Sequence, residues 1–88
     1  MKAVITVLGK DRTGIIAAVS GLLYREGVNI LDISQTILSG MFTMIMLVEV
    51  GEDAQYDVVR EKLLNMAEEM NLEIRMQRSD IFDAMHRI

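Results

Sequence analysis

The apolar residues of this chain change period along its length in a fixed order, and that order restricts the fold more than any other feature. Lys2 to Leu8 alternates and is rich in β-branched residues, as a strand does. Ile15, Ile16, Val19, Leu22, Leu23 and Glu26 then follow helical spacing, and Gly27 is placed to end that helix in a left-handed conformation. Val28 to Leu38 alternates again, with Leu31, Ile33 and Ile37 on one face and Asp32, Ser34 and Thr36 on the other. Ser39-Gly40 reads as a hairpin turn before a further strand, Phe42 to Val50. Asp53 is a candidate cap for a second helix, whose stripe is Tyr56, Val59, Leu63, Met66, Ala67 and Met70. Asn71 can close it, and Leu72, Ile74 and Met76 alternate with charged neighbours in a last strand.

Strand, helix, strand, strand, helix, strand is the split βαβ arrangement. The expected fold is therefore α+β: a ferredoxin-like βαββαβ sandwich, with a four-stranded antiparallel sheet and two helices on one face. Residues 1–78 form the domain. Residues 79–88 form a short helical tail, with Ile81, Phe82, Met85 and Ile88 at helical spacing behind a Ser79 cap, which packs on the domain or on a partner chain.

In this topology the first and third strands are central. The third is apolar on both sides, with Phe42, Met44, Met46 and Val48 pointing one way and Ile45 and Leu47 the other. Only one side can meet the helices, so the other needs cover from the tail, another chain or both. If a protein partner docks there, a glutamate at Met44 is expected to abolish docking and spare the fold. The edges differ too. The fourth strand carries Glu73, Arg75 and Arg78, which discourage pairing, whereas Asp32 is the lone charge in the second. The second strand is free to pair with a copy of itself, and a two-fold dimer is the commonest assembly.

A chain of 88 residues is small enough for extra burial through self-association to matter. It has no cysteine, so neither a disulfide nor a thiolate metal site can supply that stability. A net charge of −4 argues against nucleic acid. No apolar run reaches the roughly 18 residues of a membrane span, and no leader precedes the first strand. A soluble, cytoplasmic protein is expected, with no membrane partner.

The turn between the first strand and first helix, Gly9-Lys10-Asp11-Arg12-Thr13-Gly14, carries the functional signal. It is not a Walker loop, because lysine follows the first glycine and no Ser or Thr for magnesium comes after it. A dinucleotide fingerprint is absent. Acylphosphatases share the element order and use an arginine in this turn, but their glycine-rich phosphate cradle is missing. RNA-recognition motifs share it too and need aromatic rings that the first strand lacks. What remains is a small polar ligand. A turn opening a helix presents free N–H groups and the positive end of the helix dipole, which suit a carboxylate. Asp11 suits an ammonium group, and Asn29 can donate and accept. An α-amino acid carries both charged groups. The alternative is purely structural: Asp11 or Thr13 caps the helix and Gly14 gives backbone freedom.

The turn Gly9 to Gly14, together with Glu26-Gly27-Val28-Asn29-Ile30, resembles the ACT domain over about Ala3 to Arg78. It is most similar to small bacterial proteins made of a single such domain and to the ACT modules of the glycine-cleavage-system repressor; the tail Ile81 to Ile88 is typical of the stand-alone group. The resemblance implies a regulatory or sensor module rather than an enzyme. It implies side-by-side dimers through the second strand, an amino acid at the seam between copies, and a regulated protein partner. The ligand-binding positions it implies are Asp11, Arg12, Thr13, Gly14, Asn29 and Ile30. Asp11 stands where many amino-acid-binding members have Asn, Gly9 where some have His, and Thr13 where many have Pro. If the second strands pair, Asp11 of one chain lies near Asn29 and Ile30 of the other. The second functional reading is a ligand-free protein–protein interaction module.

No catalytic constellation can be drawn, and no cofactor is implied. His86 is the only histidine; Asp80 and Asp83 precede it, but a metal site is not expected. The methionines at apolar positions, Met44, Met46, Met66, Met70, Met76 and Met85, read as core fillers.

Overall fold

Six elements follow one another in the expected order: β1 (Lys2–Lys10), α1 (Ile15–Arg25), β2 (Val28–Leu38), β3 (Met41–Val50), α2 (Tyr56–Met70) and β4 (Glu73–Arg78). They come from a computed structural model that describes residues 1–79. The sheet runs β2-β3-β1-β4, every pairing antiparallel, so β1 and β3 are central. This is the ferredoxin-like sandwich that the order of periods requires. The tail from residue 80 onward, with Asp80, Asp83, Met85 and His86, lies outside the described residues.

Each central strand sends alternate residues into one core. Ala3, Ile5 and Val7 of β1 and Phe42, Met44, Met46, Val48 and Val50 of β3 are all buried, with Ile74 and Met76 of β4. Ile15, Val19, Leu22 and Leu23 of α1 and Val59, Leu63 and Ala67 of α2 close over them. Met44 and Met46 are completely inaccessible, so methionine fills the core here as expected. This also corrects one expectation. Met44 faces the helices, so a charge there attacks the core and not a docking surface. The outer face of β3 is carried by Thr43, Ile45, Leu47 and Glu49.

β2 departs from simple alternation. Ile30 pairs with Val48 and Asp32 with Leu47, leaving Leu31 as a one-residue bulge. Before the bulge, Val28 and Ile30 share the helix-side face with Val50 and Val48. After it, Ile33, Gln35 and Ile37 do, opposite Met46, Met44 and Phe42. An extra residue inverts the parity of everything that follows. The helix-side residues of β2 are thus even-numbered before the bulge and odd-numbered after it, with Ile33 and Ile37 on one face and Asp32, Ser34 and Thr36 on the other as expected.

The turns follow their residues. Ser39 (φ 52°) and Gly40 (φ 78°) both take positive φ, the pattern of a two-residue hairpin turn matched to strand twist. Gly27 (φ 75°) follows α1, and Asn71 (φ 56°) ends α2 with Leu72 N–H donating to the Ala67 carbonyl at 2.8 Å. At the start of α2 the N-cap is Gln55, not Asp53, which sits in the preceding turn; no side chain caps this end.

The Tyr56 hydroxyl donates to the Met76 carbonyl at 3.0 Å, tying the start of α2 to β4. Burial raises its pKa above 10.0, against the pull of the nearby Arg60. The folded state therefore holds the phenolic proton longer than the unfolded chain does. The contribution is complete below pH 10 and is lost as pH rises through the folded value. Tyr56→Phe is expected to cost about 1 kcal/mol at neutral pH and to flatten the fall in stability at alkaline pH. Urea unfolding from neutral to strongly alkaline pH measures both.

Among the described residues no helix is long and apolar enough to cross a membrane.

Candidate ligand site at the β1–α1 corner

β1 ends at Lys10, opposite Met41, and the chain turns through Asp11, Arg12 and Thr13 into α1. All three side chains are exposed. The Asp11 N–H donates to the Gly40 carbonyl at 2.8 Å, pinning the corner to the β2–β3 hairpin. Gly14 is the N-cap, with φ 94° and ψ −1°. A Cβ there would meet nothing within 4 Å, so it is the left-handed backbone and not crowding that asks for glycine.

No side chain caps α1 and no acidic residue lies in its first turn. Neither Asp11 nor Thr13 fills the capping role that the alternative reading assigned to them. Gly14 contributes only its carbonyl, which accepts from Ala18 N–H at 2.9 Å. The first-turn N–H groups of α1 thus have no side-chain acceptor, and the positive end of the helix dipole opens at the end of the turn that carries Asp11.

Arg12 reaches away from the sequence around it. Its Nη2 donates to the Met70 carbonyl at 2.8 Å, where α2 ends. A guanidinium at a helix C-terminus meets both the unpaired carbonyls and the negative end of the dipole. Arg12 therefore braces the corner against α2, with further N–H donors in its fork. Gly9 is fixed by the same junction, because a side chain there would collide with Leu72, the residue after the α2 cap. The imidazole that some ACT domains carry at this position has no room unless Leu72 moves.

Asn29 is exposed on the outer face of β2, level with Glu49. The N-terminal ammonium of Met1 lies 2.7 Å from Glu49 Oε2 and donates to the Val50 carbonyl at 3.1 Å. Ile30 is partly buried against the core, so its backbone is the part that faces outward along the edge. Asn29 and Ile30 do not meet the turn within one chain. Asn29 is level with Glu49 and Lys2, whereas the turn begins beyond Lys10 and Met41. The two groups sit at opposite ends of the sheet, separated by about 26 Å of strand.

Two features were not legible as parts of the site. One is the Asp11 bond to the hairpin. The other is an uncovered apolar strip on the helix side of β2, where Ile33 is 39% and Ile37 54% exposed, with Ile16 of the first turn of α1 also exposed. Among the described residues no group of three or more His, Asp or Glu side chains could hold a metal ion.

Comparison with known proteins gives a consistent answer. The ACT domain family matches residues 2–77. A UPF0237 protein of Listeria innocua is 44% identical over 89 aligned positions that span all of both chains. The solved structure of an ACT domain protein from Streptococcus pneumoniae superimposes with a TM-score of 0.83 at 43% identity, covering 98% of each chain. A solved protein assigned as a glycine cleavage system transcriptional repressor gives a TM-score of 0.77 at 29% identity, over 89% of this chain and 45% of that one. With the fold and the whole-length relatives in agreement, the chain belongs to the ACT domain family.

Proposed function

We propose that this protein is a sensor: a homodimer, joined edge to edge through β2, that binds a free amino acid in two niches at the seam. Each niche takes the β1–α1 corner from one chain, with Asp11, Arg12, Thr13 and Gly14, and Asn29 and Ile30 from the other. The single observation that carries this reading is the separation of the two halves. Antiparallel pairing of β2 with its own copy lays the start of one strand beside the end of its mate. That brings Asn29 to the end of the sheet where the other chain's corner lies, which no arrangement of one chain achieves.

The edge supports such a pairing. Nearly all of β2 after Val28 is exposed, and Asp32 is its single charge. The uncovered Ile33 and Ile37 give a second chain apolar surface to bury. In the niche, the α1 N–H groups receive the ligand carboxylate, Asp11 accepts from its ammonium, and Asn29 completes the contacts. A ligand that touches both chains binds the dimer better than the monomer and stabilises it by mass action. A protein that recognises the dimer then reads the amino acid's concentration, which is how a module with no catalysis of its own regulates.

Titration calorimetry against the twenty amino acids, paired with sedimentation equilibrium, tests this. One or a few amino acids should release heat, and the same ones should tighten dimerisation, by about 2.7 kcal/mol for each niche filled at a hundredfold excess over Kd. Absence of heat with all twenty at millimolar concentration removes the sensor. Binding that leaves the association constant unchanged removes the shared niche.

A further inference from the structure

The sheet has a second face that neither helix touches, and it is not uniform. Along it lie Val4, Thr6 and Leu8 of β1, Ile45 and Leu47 of β3, and the polar Glu73, Arg75 and Gln77 of β4. Exposure rises from 8% at Val4 to 45% at Ile45 and 74% at Leu38, at the hairpin end. The drier end is where the chain leaves the sheet: Arg78, last in β4, pairs with Ala3, one residue from Val4. Ser79 has already abandoned extended backbone for helical geometry.

The geometry points to residues 80–88 of the same chain as the cover of this outer face. Their apolar residues, Ile81, Phe82, Met85 and Ile88, recur at one helical face, with Asp80, Asp83, His86 and Arg87 between them. Nine residues in a helix extend about 13 Å, and β1 and β3 lie about 5 and 10 Å in from the β4 edge. The segment is therefore long enough to cross both central strands from where it starts. Asp80 and Asp83 come first in that segment, and the β4 rim it must cross presents Arg75 to the outer side. A segment docked in cis closes the half-buried Thr6 and Leu47 from water and leaves the β2 edge, three strands from the chain exit, free. This inference stands independently of the amino-acid niche.

The absence of native cysteine makes the placement directly testable in the full chain. Thr6→Cys on the outer face is combined with Met85→Cys in the segment, and the pair is treated with a short bismaleimide. Cis docking predicts a link within one chain: unit mass on a denaturing gel, both thiols consumed, and a yield independent of protein concentration. A control pair, Glu61→Cys with Met85→Cys, should not link within the chain, because Glu61 is exposed on α2, on the other side of the sheet. Doubled mass as the main product, or two thiols that each react singly, overturns the inference. If Thr6→Cys does not fold, Ile45→Cys replaces it, at the neighbouring outer-face position on β3.

Discussion

Met44→Glu is expected to leave the chain largely unfolded at neutral pH, while Ile45→Glu, the next residue along β3, is expected to fold with a loss below about 1 kcal/mol. The contrast comes from strand parity. Met44 is fully inaccessible, between Val7 and Gln35 on the helix side of the sheet. Among the described residues no charged side chain is buried in this core, so a glutamate there is driven to bind a proton at neutral pH. A carboxyl pushed up by about 3 units costs about 4 kcal/mol at pH 7, and the lost methionine packing adds about 2 kcal/mol or more. A domain of this size has roughly 5–10 kcal/mol in total. Ile45 lies instead on the outer face, between Thr6 and Ser34, and is 45% exposed. Circular dichroism and thermal melting of the two variants give the comparison. Because the folded-state pKa of the introduced carboxyl would be raised, its penalty relative to the native chain should shrink as pH falls towards about 4, the ordinary glutamate range. A Met44→Glu protein that melts within a few degrees of the native one would mean that β3 is turned over.

Asp11→Ala and Asn29→Ala should each weaken amino-acid binding roughly tenfold to a hundredfold on its own, and mixing the two variants should restore native-affinity binding in part of the sites. This is the particular signature of a niche shared between chains. In a mixed dimer, one niche takes Asp11 from the Asn29→Ala chain and Asn29 from the Asp11→Ala chain, so it is intact; the other carries both lesions. A site built within one chain gives no recovery, since every chain lacks one group. Each deletion removes a hydrogen bond to a charged ligand group, worth about 1.5–3 kcal/mol, or roughly tenfold to a hundredfold in Kd. Both residues are exposed and outside the core, so the variants should melt close to the native protein. Calorimetry on the mixture after exchange of subunits reads the outcome. Weakened binding in each variant with no recovery on mixing would overturn the shared niche.

The fold was open to reading because each element announces itself locally. The stripe from Ile15 to Leu23, the alternation through Phe42 to Val50, and the Ser39-Gly40, Gly27 and Asn71 breaks all act within a few residues. The bulge was not, because Leu31 is as apolar as its neighbours and only pairing with β3 reveals which residue is extra. Asp53 looked like a cap because its type favours capping; the helix began two residues beyond Ala54 instead. Arg12 shows the limit for a site. Its acceptor, the Met70 carbonyl, lies 58 residues away, and no local pattern carries a contact of that range. Gly14 was legible as a backbone requirement, but whether α1 is capped depends on the path of the turn, which leaves Asp11 and Thr13 off the helix end.

The bulge at Leu31 has a geometric consequence for the proposed pairing. It ends the regular part of β2, leaving Asp32 to Leu38 as an even ladder centred on Gln35. A two-fold axis at Gln35 sets Asp32 against the mate's Leu38, and Asn29 then overhangs by three residues. That overhang arrives level with the opposing Gly40 turn, whose carbonyl already holds the Asp11 amide. In that pairing one supernumerary leucine would act as a ruler, setting how far each asparagine projects past the other subunit's last rung.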